Sequence, residues 1–260
     1  MPRYDDDLRL AHVLADNVER LTTSRFKAED LVVETKPDLT LVSDADREAE
    51  ELIRYQLGRT RPRDAVEGEE METTGHGPRR WVIDPIDGTH NYVRGVPVWA
   101  TLIGLVDGDE AVLGLVAAPA LGRRWWAAKG SGAWTGRSLM NAKAINVSKV
   151  SRLEDASISW SSLRGWRERG RQDALLDLCD ACWRSRAYGD FWSHMLVAEG
   201  AVDIAPEPEL ALYDMAALAP IVTEAGGRFT SLEGAEGPFG GNGVSTNGLL
   251  HEEVLARLGD

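Results

Sequence analysis

The stretch from Trp81 to Gly136 restricts the fold more than any other part of this 260-residue chain. It holds the runs WVID, VWATLIGLV, AVLGLVAA, RRWWAA and AWTG, with turn-forming DGDE and KGSG between the later ones. Bounded apolar and aromatic runs of this length read as strands. Tight turns join antiparallel neighbours, because a parallel return needs a crossover of a dozen or more residues. GSGAWTG, Gly130 to Gly136, is therefore a hairpin and not a nucleotide-binding loop, since no helix pattern follows it. After INVSKVSRLEDA the pattern changes to alternating strand and helix: ASISWSS, QDALLDLCDAC, RSRAYG, FWSHMLVAEG, VDIAPE, DMAALAPIVTEAG, RFTSL and GLLHEEVLARLG. That alternation predicts an α/β second half. With no repeat and no long Pro/Gly/Ser linker, the chain reads as a single unit of two lobes, about 1–146 and 147–260.

Two helices precede the strands. The first starts at Asp5-Asp6-Asp7, acid at the favourable dipole end, and spaces Leu8, Ala11, Ala15, Val18 and Leu21 along one face. The extended piece LVVETKPDLTLV leads to Ser43 and Asp46, an S-x-x-D capping box. The helix ADREAEELIRYQLG follows, buried through Ala49, Leu52, Ile53 and either Gln56 or Leu57, and expected to close at Gly58. Arg59 to Arg80 reads mostly as loop.

Composition narrows the partners. With 29 Lys and Arg against 42 Asp and Glu, the formal charge of -13 argues against broad contact with nucleic acid or an anionic membrane. No stretch offers the ~18 uninterrupted apolar residues of a membrane span, and MPRYDDDLRL lacks a signal-peptide h-region, so a cytoplasmic location is expected. Cys179 and Cys182 form a C-x-x-C on a helical pattern with Ala174, Leu175 and Leu178. They read as reduced core thiols, because the other ligands of a zinc site are lacking.

The chemistry concentrates in WVIDPIDGTHNY. Pro85 pushes Asp84 into an extended conformation, so Asp84 should end its strand with Asp87 one sharp bend later and the Ile86 carbonyl between them. Two close carboxylates repel unless a cation lies between them or one is protonated. Hard oxygen donors of this kind suit Mg²⁺. Each residue also has a plain structural role available: Asp-Gly as turn chemistry, Asp46 as the capping-box acid, Asp214 as a helix N-cap, Glu69 as a solvated loop carboxylate.

Gly68-Glu69-Glu70, then D-P-I-D-G-T, then Asp214 in D-M-A-A with E-A-G-G after it, resemble the inositol monophosphatase family of metal-dependent phosphatases from about Lys36 to Gly227. The resemblance implies a layered αβαβα sandwich, part α+β and part α/β, Mg²⁺ as cofactor, a small-molecule phosphate ester as substrate and a homodimer. It implies that Glu69, Asp84, the Ile86 carbonyl, Asp87 and Asp214 are metal ligands. It further implies that Thr89 and Asp46 orient the attacking water, that Glu69 helps activate it, and that the amides of Gly88 and Thr89 hold phosphate oxygens beside Asp87.

By the same resemblance Gly189, Asp190 and Phe191 in YGDFW, with Glu207, form the pocket wall. A carboxylate at Asp190 suits a cationic substrate better than a polyol, and the G-D pair is similar to the histidinol-phosphatase branch, which implies hydrolysis of L-histidinol phosphate. Trp99 or Trp192 could add an aromatic face. Asp190 could instead cap its helix, which would favour an inositol or sugar phosphate; a non-catalytic phosphometabolite binder is the reading from another class. Tyr213, Glu67 and His90 depart from the family pattern, and none removes an expected ligand.

Overall fold

The computed structural model describes residues 4–37 and 39–259, so Asp38, inside the expected extended piece, lies outside the described residues. Helix α1 (Asp5–Arg25) leads through the antiparallel hairpin β1 (Val33–Thr35) and β2 (Leu41–Ser43) into α2 (Asp44–Thr60). A seven-stranded sheet follows: β3 (Ala65–Gly68), β4 (Arg79–Asp87), β5 (Ala100–Asp107), β6 (Glu110–Ala118), β7 (Arg123–Ala128), β8 (Ala133–Gly136) and β9 (Lys143–Ile145), in that spatial order. The short helix α3 (Thr89–Arg94) interrupts it after β4.

The second half alternates as expected. Its elements are β10 (Ser157–Ser159), α4 (Leu163–Glu168), α5 (Gln172–Ala181), β11 (Arg184–Arg186), α6 (Asp190–Ala198), β12 (Ile204–Glu207), α7 (Leu212–Met215), α8 (Leu218–Glu224), β13 (Arg228–Thr230), β14 (Gly243–Thr246) and α9 (His251–Leu258). The strands form a mixed sheet in the order β11-β10-β12-β14-β13.

The expected αβαβα layering is the arrangement found. Ala11, Leu14 and Ala15 of α1 and Ala49 and Ile53 of α2 pack on Trp81, Ile83, Ile103 and Leu105 of the larger sheet. On its other face Ala100, Leu102 and Val116 share a core with Met195 of α6, Leu218 and Ile221 of α8, and Phe229 of the smaller sheet. Outside that sheet lie Trp166 of α4, Leu175 and Leu178 of α5, and Val254 and Leu258 of α9. Coverage on both faces explains why VWATLIGLV is apolar at every position but Thr101, whose hydroxyl donates to the Pro85 carbonyl, instead of alternating. Each fully buried Leu or Ile contributes roughly 1.5–3 kcal/mol of transfer energy.

One cross-strand pair of glycines sets how closely the middle layer approaches. Gly104 of β5 lies opposite Gly114 of β6. A Cβ on Gly114 would come within 2.0 Å of the Ala217 carbonyl oxygen, and one on Gly104 within 2.8 Å of Ala216. The segment joining α7 to α8 therefore rests directly on the sheet backbone, two and three residues after Asp214.

Arg59–Arg80 is mostly loop, as expected, apart from the end of α2 at Thr60, the short strand β3 that pairs in parallel with β4, and the start of β4 at Arg79. Three expectations need correction. Gly58 does not close α2; the chain leaves the helix at Arg61, whose amide still reaches the Leu57 carbonyl. Asp84 does not end its strand: β4 continues to Asp87 with a register break between the two, since Pro85 has no amide hydrogen for the ladder. Cys182 lies just past α5, and both thiols are free but only half-buried beside Leu175 and Leu178.

Candidate active site

The break in β4 makes the centre of the site. Asp84, Asp87 and Asp214 bring carboxylate oxygens within 4.8 Å of one another, two from β4 and one from α7. Burial raises Asp84 well above the ordinary carboxylate range, with Glu69, Asp87 and Asp214 adding to the rise. Burial likewise raises Asp87, reinforced by Asp190 and Asp214. It pushes Asp214 up to about 7, against the amide of Ala211, which donates to Asp214 Oδ2 at 2.6 Å. Asp84 Oδ1 is buried and has no hydrogen-bond partner. A buried oxygen left without a donor is costly. Three converging hard oxygens with one unsatisfied fit a divalent cation of the Mg²⁺, Ca²⁺ or Mn²⁺ type.

Asp46, the capping-box acid at the start of α2, takes both the amide (2.8 Å) and the hydroxyl (2.5 Å) of Ser43 on Oδ2. That leaves Oδ1 for Thr89 Oγ1 at 3.3 Å, a hydroxyl that also lies 3.0 Å from the Ile86 carbonyl. Burial pushes Asp46 up to about 6. The cap and the site residue are thus one side chain. Gly88, at φ +81, caps α3; a Cβ there would meet the Val98 carbonyl at 3.0 Å and Asp190 Oδ2 at 3.3 Å. Glycine is required for both the turn and the space.

Glu69 lines the same cleft of about 660 Å³ but stands outside the aspartate triad. Its carboxylate meets Lys36 Nζ at 2.8 Å, and Glu70 meets the same ammonium at 2.7 Å. Burial pushes Glu70 up to about 7 despite this partner. Burial pulls Lys36 down, but the bonds to both glutamates outweigh it and hold the ammonium above its ordinary value.

On the opposite wall Asp190 does not cap α6. The Phe191 amide of that first turn donates to Asp87 Oδ2 at 2.9 Å, while Asp190 Oδ2 accepts from Asn91 Nδ2 at 3.0 Å. Asp190 sits at φ +48 after Gly189 at φ +82. Burial raises its carboxyl, opposed by the charge of His90, an exposed residue on the cleft rim. The Phe191 side chain turns into the core against Trp125, so only its backbone faces the site. Glu207 lies in an adjoining cleft of about 530 Å³ that shares Thr40, His90 and Ser161 with the first. Ser161 donates to its Oε2, Oε1 has no partner, and burial pushes the acid up to about 8.

Trp99 cannot supply the aromatic face: it is fully buried and packs edge-on to Tyr92 at 4.9 Å. Trp192 packs at 5.5 Å on Tyr188, and Tyr188 is the ring that lines the cleft. Tyr213 packs against Val82 and Val106, and the extra charge of Glu67 is paired with Arg80 at 3.1 Å. Lys36, Asn91, Ser161 and Tyr188 were not singled out from sequence. Asn91 lies in α3, the short helix that Thr89 opens, and no local spacing pointed to its partner Asp190.

The sequence matches the inositol monophosphatase family over residues 4–258. The chain belongs to that family. It is 64% identical to a histidinol-phosphatase of Streptomyces coelicolor, an alignment covering 99% of this chain and 98% of that one. It is 56% identical to a histidinol-phosphatase of Mycobacterium tuberculosis, over 97% and 98% of the two chains. Among solved structures it superposes on an inositol monophosphatase of Thermotoga maritima with a TM-score of 0.87 at 31% identity, covering 97% and 96%. Members of this metal-dependent family share the layered fold described above, and among the described residues no helix is long and apolar enough to cross a membrane.

Proposed function

We propose that the protein is a Mg²⁺-dependent phosphomonoesterase that hydrolyses L-histidinol phosphate to L-histidinol and phosphate. The observation that carries the choice of substrate is Asp190: a carboxylate on the cleft wall whose own helix does not use it. A carboxylate so placed pairs with an ammonium or imidazolium, and a buried charge without such a partner is expensive. Glu207 adds a second acid in the adjoining cleft, and Tyr188 offers a ring face. The high identity to two histidinol-phosphatases supports the same reading.

Asp84, Asp87, Asp214, Glu69 and the Ile86 carbonyl would hold the metal. When bound, Mg²⁺ neutralises the carboxylates and the phosphate and acidifies water. The chain's own residues do the positioning. Asp46 fixes the Thr89 hydroxyl by its bond to Oδ1, so that hydroxyl can orient an incoming water towards phosphorus. Glu69, with Lys36 alongside, can accept the proton the water loses. The amides of Gly88 and Thr89 at the start of α3 face the phosphate oxygens, and Asp190 holds the cationic end away from them. The cleft admits a small-molecule ester; a homodimer in the cytoplasm is part of the same proposal.

Phosphate release from L-histidinol phosphate and inositol 1-phosphate, with Mg²⁺ and with chelator, tests this. Preference for histidinol phosphate that collapses in Asp190→Ser is the expected result. Equal or better turnover of inositol 1-phosphate or a sugar phosphate would discard the role of Asp190. Ester binding without phosphate release in the wild type, unchanged by Asp84→Asn, would mark a binder and not an enzyme.

A further inference from the structure

Helix α2 presents three polar residues at i, i+4 and i+8 on the face turned towards the site: Asp46, Glu50 and Arg54. Asp46 belongs to the site; the other two have no part in the chemistry above. Glu50 is fully buried. Its Oε2 accepts the amide of Glu70 at 2.8 Å, and its Oε1 accepts Arg54 Nε at 2.7 Å. Arg54 then forks onto the loop, with Nη2 on the Met71 carbonyl at 3.1 Å and Nη1 on Thr74 Oγ1 at 3.1 Å. Gly68 lies against the same carboxylate: a Cβ there would be 2.1 Å from Glu50 Oε1. The Gly-Glu-Glu motif therefore needs its glycine because Glu50 lies behind it.

Glu69 hangs between these attachments. Its own amide donates to the Ile83 carbonyl of β4 at 3.2 Å, and the next amide is the one Glu50 holds. We propose that Glu50 and Arg54 are positioning residues, a buried ion pair that fixes the Gly68–Met71 backbone so that the Glu69 carboxylate projects into the cleft. The inference rests on the reading of Glu69 as a metal ligand. Groups that orient ligands from behind set metal affinity. A buried pair also exceeds what simple packing needs, since apolar residues of similar volume often serve stability as well.

The test compares Mn²⁺ binding by calorimetry, the Mg²⁺ dependence of phosphate release and backbone hydrogen exchange in four variants. Glu50→Leu/Arg54→Leu removes both charges together, leaving no buried ion unpaired. Its Mn²⁺ dissociation constant should rise about 10- to 100-fold, with faster exchange at the Glu70 amide, while KM for the ester at saturating metal stays unchanged. Glu50→Gln keeps an acceptor for the Glu70 amide and should recover part of the affinity. Arg54→Lys keeps a charge beside Glu50 but loses the fork, and reads out the brace should the double variant fail to fold. Glu69→Gln separates the two ideas. If it leaves Mn²⁺ binding unchanged, the ligand reading has failed; if it weakens binding while folded brace variants bind as wild type, the positioning role is overturned.

Discussion

Gly114→Ala should loosen the site from a distance. The added Cβ would lie 2.0 Å from the Ala217 carbonyl oxygen and 2.8 Å from its carbon, both backbone atoms that cannot swing aside. Comfortable contacts are near 3.5 Å, so the α7–α8 segment must retreat on the order of 1 Å. Overpacking of this kind costs up to about 3 kcal/mol. Restricting the unfolded chain returns up to about 1 kcal/mol of that. A net loss of about 2 kcal/mol corresponds to a Tm lower by roughly 4–8 °C for a chain of this size. Asp214 lies three residues before Ala217, so the same retreat moves its carboxylate away from Asp84 and Asp87. A displacement near 1 Å can lower turnover by about 100-fold. Thermal unfolding in chelator, Mn²⁺ calorimetry and kcat/KM should all change together. A wild-type Tm would refute the close-packing argument. A lowered Tm with unaltered metal affinity would show that the glycine pair supports the fold without setting Asp214.

Gly58→Ala should act oppositely, because Gly58 lies inside α2 and a Cβ there meets nothing within 4 Å. A gain of about 0.5–1 kcal/mol is expected, measurable as a raised urea midpoint; a lowered midpoint would contradict the helical assignment. Stability should also depend on pH in a metal-dependent way. Asp214 is raised from 3.8 to about 7 in the folded state, so it favours folding below pH 3.8, and that contribution is lost as pH rises through about 7. The metal-free Tm should accordingly fall across that window. Mg²⁺ needs the deprotonated ligands, so the rise in Tm that it produces should grow from pH 5 to 8; parallel curves with and without metal would count against the assignment of the triad.

Local signals were the legible ones. The S-x-x-D box at Ser43 and Asp46 announced the start of α2, because capping depends only on neighbours in sequence, whereas the family resemblance alone pointed to Asp46 as a candidate site residue. The strands from Trp81 onward were plain because each run is apolar and bounded. Strand β3 was not, since its four residues, Ala65, Val66, Glu67 and Gly68, gain a strand's geometry only by pairing with β4, which arrives later in the chain. Asp190 could be read as a pocket-wall acid or as a helix cap, and only the fold shows that α6 does not use its carboxylate, which Asn91, 99 residues away, meets instead. Lys36 sits in a hairpin without periodicity, so nothing local pointed to the two glutamates that it bridges. Glu50 and Arg54 carried a readable four-residue spacing from Asp46, but a buried ion pair looks like an ordinary exposed helix pair until its environment is known.

The two sheets divide the labour of the site. Asp84 and Asp87 lie on the larger sheet, Glu69 follows its first strand, and Asp214 stands just before Ala216 and Ala217, which rest on the sheet's glycine pair. The acids and ring proposed to meet the rest of the ester belong to the other half: Asp190 opens α6, Glu207 ends β12, and Tyr188 follows β11. On the proposed function, mutational libraries confined to positions such as 161, 188, 190 and 207 should exchange one phosphate ester for another while the hydrolytic apparatus remains intact, which would make this scaffold a convenient starting point for phosphatases of chosen selectivity.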